Sequence, residues 1–151
     1  MTLTQLTYVS SPFGFDDSTL ASILMDARRC NARDGITGSL IVREDIYLQL
    51  LEGPAPAVDA AFGRIRRDDR HCQVQLLTRR AVSERLFPAW TMRDDPARSW
   101  MWTMEEVARG LPRQASETEV IGIFERLARE TRGDCTHAAD GSSGTNAAPD
   151  A

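Results

Sequence analysis

The sequence predicts an α+β fold, a ferredoxin-like βαββαβ sandwich with one further strand and C-terminal helices. Short β-rich runs alternate with amphipathic helical patterns, only two residues separate two of the runs, and Gly and Pro mark several junctions. This order of elements gives a mixed sheet with two helices on one face.

The first predicted elements are a strand and a helix. In residues 3–10 alternate side chains point to opposite faces, which places Tyr8 and Ser10 on the same side of the strand. The run Asp16-Asp17-Ser18 then offers an N-cap for a helix with apolar residues at a spacing of three and four. Asp34-Gly35 is expected to end that helix.

A hairpin and a second helix come next. The β-rich runs 36–43 and 46–52 predict two antiparallel strands because so short a link allows only a hairpin. A second amphipathic helix begins after Gly53-Pro54. Further strands are expected at about residues 73–79 and 89–93.

The composition changes twice along the chain and predicts three parts. Residues 1–95 form the predicted α+β domain, and residues 96–132 form a helical extension in which Thr103 and Ser116 each begin a capping-box sequence. An apolar stripe from Trp100 to Leu111 in this extension is expected to cover the open face of the sheet. Residues 133–151 are small and polar, which predicts disorder.

The composition also excludes several classes of function. The net charge of −4 argues against a nucleic-acid partner, and no apolar run approaches the roughly 20 residues of a membrane helix. The odd set Cys30, Cys72 and Cys135 contains no Cys-x-x-Cys pair, so neither a disulfide framework nor a metal site is predicted. We therefore expect a cytoplasmic protein without membrane, nucleic-acid or metal partners.

Three polar side chains break the burial pattern. Asn31 lies on the inward face of the first helix, Gln49 lies in a strand that is apolar on both faces, and Tyr8 faces the same layer. A buried amide without hydrogen bonds costs on the order of 1–3 kcal/mol, so these groups must bond to each other or to a ligand.

Two explanations remain open at this point. Taken singly, each residue fits a buried network that only fixes strand register. Three polar groups converging beneath two helices favour a ligand, and a heteroaromatic ring with carbonyl and N–H groups would match their donors and acceptors.

The segments TYVSS, NARDGITGSL, YLQLLEGP, RIRRDDRH and ERLFPAWTM occur in this order over about residues 3–94. In sequence and spacing they resemble the BLUF family, flavin-binding domains that sense blue light. The resemblance implies that FAD lies between the two helices, edge-on to the sheet.

The resemblance assigns the photochemistry to two residues. Tyr8 corresponds to the family's redox tyrosine and Gln49 to its switching glutamine. It implies that light drives electron and proton transfer from Tyr8, that Gln49 rearranges, and that a new hydrogen bond to flavin O4 gives a small red shift.

The resemblance also implies contacts to the cofactor and a signal path. Asn31 matches the asparagine at the flavin O4/N3 edge, and Arg70 matches the arginine near O2, with Asp68 and His71 in its supporting segment. Cys30 stands near the ribityl side, where a polar or basic residue is common. The implied ring-packing positions are Ile23, Leu40 and Tyr47, and the implied signal relay is Trp90, Met92 and Ser10, with the serine beside the tryptophan.

The sequence thus predicts a non-enzymatic photoreceptor that signals to an unidentified downstream protein or through a homo-oligomer interface. One alternative is an acylphosphatase-like hydrolase on the same fold, with Arg70 and Asn31 as its catalytic pair. Another is an interaction module that binds flavin without a photocycle.

Overall fold

The computed structural model describes residues 2–13 and 16–131 of the 151-residue chain. The tail predicted to be disordered, residues 133–151, lies outside the described residues. In chain order the elements are β1 (Leu3–Pro12), α1 (Asp17–Asp34), β2 (Thr37–Arg43), β3 (Ile46–Gly53), α2 (Ala55–Arg66), β4 (His71–Val82), β5 (Arg93–Pro96), α3 (Met104–Ala108), α4 (Leu111–Gln114) and α5 (117–131).

The five strands form one sheet in the order β4-β1-β3-β2-β5. The pairs β1–β3, β1–β4 and β2–β3 are antiparallel, and β2–β5 is parallel. The predicted mixed sheet of the α+β, ferredoxin-like fold is therefore confirmed. β4 is longer than expected and begins two residues earlier, at His71.

Local sequence signals set the ends of several helices. The Asp16 side chain accepts a hydrogen bond from Thr19 N at 2.7 Å, and Gly35 ends α1 in the left-handed region at φ 74°. Thr103 forms the expected capping box at the start of α3, and Ser116 Oγ accepts from Glu119 N at 3.1 Å just before α5.

The sheet separates two hydrophobic cores, which we call the helical core and the C-terminal core. In the helical core α1 and α2 pack on one face, and its members include Leu6, Tyr8, Ile23, Leu40, Tyr47, Val58 and Met92. The C-terminal core fills the other face, and its members include Val9, Ile41, Leu48, Phe87, Met101, Phe124 and Leu127. The expectation that the extension covers this face is confirmed, with Met104 as the exposed member of the predicted stripe.

The prediction of a strand at residues 89–93 is wrong, because β5 begins only at Arg93. A regular strand would place Trp90 and Met92 on the same face, because they are two residues apart, but the two side chains pack on opposite cores. Trp90 O accepts a hydrogen bond from Gly38 N, but parallel pairing with β2 starts at the polar run Arg93–Pro96. That charged run resembles a loop in sequence.

The connection from β4 to β5 is fixed by a buried carboxylate, Glu52 at the end of β3. Glu52 is 0% exposed and accepts hydrogen bonds from Leu86 N at 2.9 Å, Phe87 N at 2.7 Å and the Thr37 hydroxyl at 3.2 Å. Burial raises the pKa of Glu52, while the two backbone N–H groups act in the opposite direction. The connection therefore has a fixed attachment to β3 six residues before Met92.

Among residues 2–13 and 16–131 no helix combines the length and apolarity needed to cross a bilayer.

We expect Glu52→Ala to lower the free energy of unfolding by about 3 kcal/mol, because it leaves the buried N–H of Phe87 and the partly buried N–H of Leu86 without an acceptor. Urea unfolding at pH 7 measures this change. Glu44→Ala, at an exposed position in the hairpin link, should alter stability by less than about 0.5 kcal/mol. Equal stability of the two variants would contradict the anchoring role of Glu52.

Candidate functional site

A cavity of about 250 Å³ opens between α1 and α2 on the helical face of the sheet. Its apolar lining consists of Ile23, Ala27, Leu51, Ala61 and Ile65. The polar residues at the cavity include Asn31, Gln49, Asp68, Arg70 and His71. Ligand sites commonly combine apolar walls with a few convergent polar groups, and this cavity has both.

Gln49 lies in the cavity lining and bridges two other side chains. Tyr8 on β1 faces Gln49 on β3 in the antiparallel register, and the Tyr8 hydroxyl donates a hydrogen bond to Gln49 Oε1. At the other end of the amide, Nε2 donates to Met92 Sδ at 3.1 Å. Each of the three residues is at most 3% exposed. The amide therefore accepts from one neighbour and donates to the other.

The surroundings of Tyr8 keep its phenol protonated. Burial raises the pKa of Tyr8 well above 10.0, and the negative charge of Asp68 acts in the same direction. The ring lies 5.6 Å from the ring of Phe62 and 6.0 Å from that of His71. A phenol that loses an electron becomes strongly acidic, and the acceptor bonded to Tyr8 is Gln49 Oε1.

Asn31 connects the cavity to the segment before β5. It lies in the last turns of α1, is 3% exposed, and donates from Nδ2 to Thr91 O at 2.8 Å. Its backbone carbonyl accepts from Ile36 N at 3.0 Å, which holds the end of the helix against the start of β2. The amide oxygen of Asn31 is thus the part of the side chain that can serve a ligand in the cavity.

Arg70 belongs to an ionic cluster that joins α1 to the turn before β4. Its Nε donates to Asp68 at 2.9 Å, and its other nitrogens donate to Ser22 Oγ at 2.7 Å and Asp26 at 3.1 Å. The hydrogen bond from Arg70 lowers the pKa of Asp68, and the carboxylate raises the pKa of Arg70. Because these partners already accept from the nitrogens of Arg70, the guanidinium is not free to bind an anion. The acylphosphatase-like alternative requires a free arginine for that purpose.

His71 is buried beside this cluster and stays neutral. Burial lowers the pKa of His71 to about 4, with Arg70 acting in the same direction and Asp68 opposing it. Its Nδ1 shares a hydrogen bond of 2.8 Å with Ser10 Oγ. The Ser10 hydroxyl therefore bonds to His71, whereas the family resemblance implied a position beside Trp90.

The predicted packing residues occupy different depths. Ile23 and Cys30 line the cavity, and Cys30 is half-buried. Leu40 and Tyr47 are fully buried in the helical core. Tyr47 also contacts His71, with ring centroids 5.1 Å apart.

The two predicted relay residues beside β5 lie on opposite faces of the sheet. Met92 is 1% exposed and belongs to the helical core, in contact with Gln49. Trp90 packs against the C-terminal core, and the Arg93 guanidinium lies 5.0 Å from the centroid of its ring. Because only Thr91 separates Met92 from Trp90, a backbone shift at Met92 can move the Trp90 side chain on the other face.

Ser22 and Asp26, which lie on α1 and contact Arg70 in the turn before β4, were not predicted from the sequence. Ser22 and Asp26 are four residues apart, a spacing that places them on one helix face. Their partner Arg70 is more than forty residues away, and helix periodicity contains no information on such a distant contact. The pattern therefore suggested only a solvated surface.

The donor set fits a flat heteroaromatic ring. Apolar side chains can cover its faces, while the amides of Asn31 and Gln49 can pair with carbonyl and N–H groups on its edge. The ring of a flavin has these groups, so the residues present fit it. Within the described part of the chain, no group of three or more His, Cys, Asp or Glu residues is placed to hold a metal ion.

Comparison with known proteins supports the same assignment. A model of the BLUF family, described as "Sensors of blue-light using FAD", matches residues 3–93. Photoactivated adenylate cyclase subunit beta of Euglena gracilis is 40% identical over 95 residues, which cover 60% of this chain and 11% of that protein. The chain thus spans about a tenth of the length of this curated relative.

Solved structures share the fold. "BlrB - a BLUF protein, dark state structure" matches with a TM-score of 0.71 and 27% identity, over 85% of this chain and 96% of that one. Klebsiella pneumoniae BlrP1 with FMN and cyclic diGMP matches with a TM-score of 0.61 and 25% identity, over 82% of this chain and 34% of that one. The family match extends from β1 to the first residue of β5 and includes the cavity and its hydrogen-bonded floor. The chain therefore belongs to the BLUF family of blue-light flavin sensors.

Proposed function

We propose that this chain is a photoreceptor that binds FAD non-covalently in the cavity between α1 and α2. The observation that carries the proposal is the buried chain of contacts from Tyr8 through Gln49 to Met92 beside that cavity. Tyr8 and Gln49 are the photoactive pair, and Met92, Trp90 and Ser10 form the signal relay.

The chemistry divides between cofactor and protein. When bound, a flavin absorbs blue light and becomes a strong oxidant in its excited state. Tyr8 retains its proton in the resting protein, and after giving up an electron to the excited flavin it would pass that proton to Gln49 Oε1 along an existing hydrogen bond. Rotation or tautomerisation of the Gln49 amide exchanges its donor and acceptor ends, because the two ends differ. After this exchange the N–H group no longer donates to Met92 Sδ, and a donor of Gln49 is available to a group in the cavity.

Several residues are proposed to hold the cofactor. Asn31, Ile23 and Cys30 line the cavity, and the Asn31 amide oxygen is proposed to pair with the ligand because Nδ2 already donates to Thr91 O. Arg70, with Asp68 and His71, bounds it on the β4 side. Leu40 and Tyr47 support the cavity from the packed core.

The output is proposed to pass through the sheet. Met92 contacts Gln49 on one face and Trp90 packs on the other, so a shift of this segment alters the surface on which α3–α5 pack. We take residues 1–95 as the sensor and 96–132 as a helical extension. In the cytoplasm the sensor would signal to an unidentified downstream protein or through contacts within a homo-oligomer. Two similar proteins are named as photoactivated or light-regulated adenylate cyclases, which supports an output through an effector.

We expect blue light to shift the flavin absorption band of the purified protein slightly to the red, with recovery in darkness. Tyr8→Phe removes the proton donor and Gln49→Leu removes the reversible amide, so both variants should remain yellow and lose the shift. Absorption spectra before and after illumination measure it.

Ser39→Ala provides the matched control for this test. The Ser39 hydroxyl is buried on β2 without a hydrogen-bond partner among the described residues, so its loss should leave the shift intact. A shift that persists in Tyr8→Phe would contradict the role of Tyr8. A wild-type protein that is yellow but shows no shift would favour the non-photoactive interaction module.

We expect the flavin released by denaturation to elute as FAD in liquid chromatography. Asn31→Ala should weaken FAD binding about tenfold, because it removes one amide hydrogen bond to the ligand and leaves Thr91 O unpaired. Titration of the apoprotein with FAD measures the affinity. Gln114→Ala, an exposed amide on α4, should bind FAD as the wild type does. Release of FMN alone would overturn the cofactor assignment.

A further inference from the structure

Three side chains donate hydrogen bonds to Thr91 and Met92, the two residues just before β5. Asn31 Nδ2 donates to Thr91 O at 2.8 Å, and Gln49 Nε2 donates to Met92 Sδ at 3.1 Å. The third contact comes from Arg28 on α1, whose Nε donates to Met92 O at 3.1 Å. The same guanidinium donates to Asp94 Oδ1 at 2.9 Å.

These three contacts differ in their relation to the cavity. Asn31 and Gln49 belong to its lining, so a ligand competes for their polar groups. Arg28 is outside the lining and lies one helical turn before Asn31. Its two bonds, to Met92 and to Asp94, therefore lie outside that lining.

The remaining attachment of this segment to the sheet is limited. β5 has four residues and pairs with β2 alone, at the edge of the sheet. The contact of Gln49 with Met92 ends at a thioether sulfur, which is a weak acceptor. A charge-assisted bond from Arg28 to a backbone carbonyl is stronger, and it acts on the residue that Gln49 touches.

We propose that Arg28 is a positioning residue that fastens the Met92 segment to α1 from outside the cavity lining and limits how far that segment moves when Gln49 changes its hydrogen bonds. The bond to Met92 O carries most of this effect, because the Arg28 and Asp94 side chains are 47% and 43% exposed and an exposed ion pair contributes little. The part of the inference that concerns illumination rests on the proposed function, whereas the anchoring in darkness does not.

Hydrogen–deuterium exchange of the flavin-loaded full chain in darkness tests the anchoring. In Arg28→Ala we expect protection of peptides within residues 90–97 to fall about tenfold, because local opening no longer breaks a charge-assisted bond. Peptides of β1 and β3 should keep their protection. Arg33→Ala is the matched control, since Arg33 lies on the same helix and bonds to Asp34.

Two more variants separate anchoring from general destabilisation. Asp94→Asn removes the ion pair and keeps the carbonyl bond, so its loss of protection should be less than threefold. Arg28→Lys keeps a charged donor and should recover part of the protection. Exchange in Arg28→Ala that equals that in Arg33→Ala would overturn the proposal, as would an equal loss of protection across the whole sheet.

Illumination adds a second readout. In the wild type we expect light to lower protection at residues 90–97 only modestly, and in Arg28→Ala the difference between light and darkness should grow because the bond to Met92 O no longer limits the movement. An unchanged difference would overturn the coupling of Arg28 to the photocycle. If the wild type shows no red shift, the proposed function fails, but the dark comparison still decides whether Arg28 anchors the segment.

Discussion

The site depends on one constraint, the burial of the Gln49 amide between a phenol and a thioether. A buried amide must have its oxygen and its nitrogen satisfied, and here Tyr8 supplies a donor while Met92 supplies a soft acceptor. The two partners are unequal, so the amide has a strong bond at one end and a weak one at the other. In the proposed photoreceptor, this inequality is what would allow a small change in the cavity to reverse the orientation of the amide.

The rest of the sheet keeps that amide in place. A one-residue slip between β1 and β3 would move Gln49 to the C-terminal core and leave Tyr8 opposite an apolar residue. β2 approaches β3 closely at Gly38, where an added Cβ would lie 1.9 Å from Leu50 O. Glu52 then fixes the connection that brings Met92 back to Gln49. The register of β1 and β3, the close approach at Gly38 and the buried carboxylate of Glu52 thus all help to position Gln49 against its two partners.

Much of this arrangement could be predicted because it depends on sequence patterns between residues that are close in the chain. Alternation placed Tyr8 correctly, and caps and glycines gave the ends of the helices. The placement of Gln49 and Asn31 beside one cavity followed from their anomalous polarity in apolar surroundings. Contacts between distant segments could not be predicted in this way. The partners of Arg70, the bond between Ser10 and His71, and the start of β5 within a charged run all depend on tertiary packing.

The separation of the two cores by a single sheet has an evolutionary consequence. Substitutions in α3, α4 and α5 repack a layer that contributes no side chain to the cavity lining. This layer can therefore diverge without a direct change to the residues that line the cavity. The central strands contribute alternate side chains to both layers, and the short edge segment from Trp90 to Met92 also contributes to both. The architecture is therefore modular, and the same sensing layer could be combined with different output surfaces provided that the sheet between the two layers is retained.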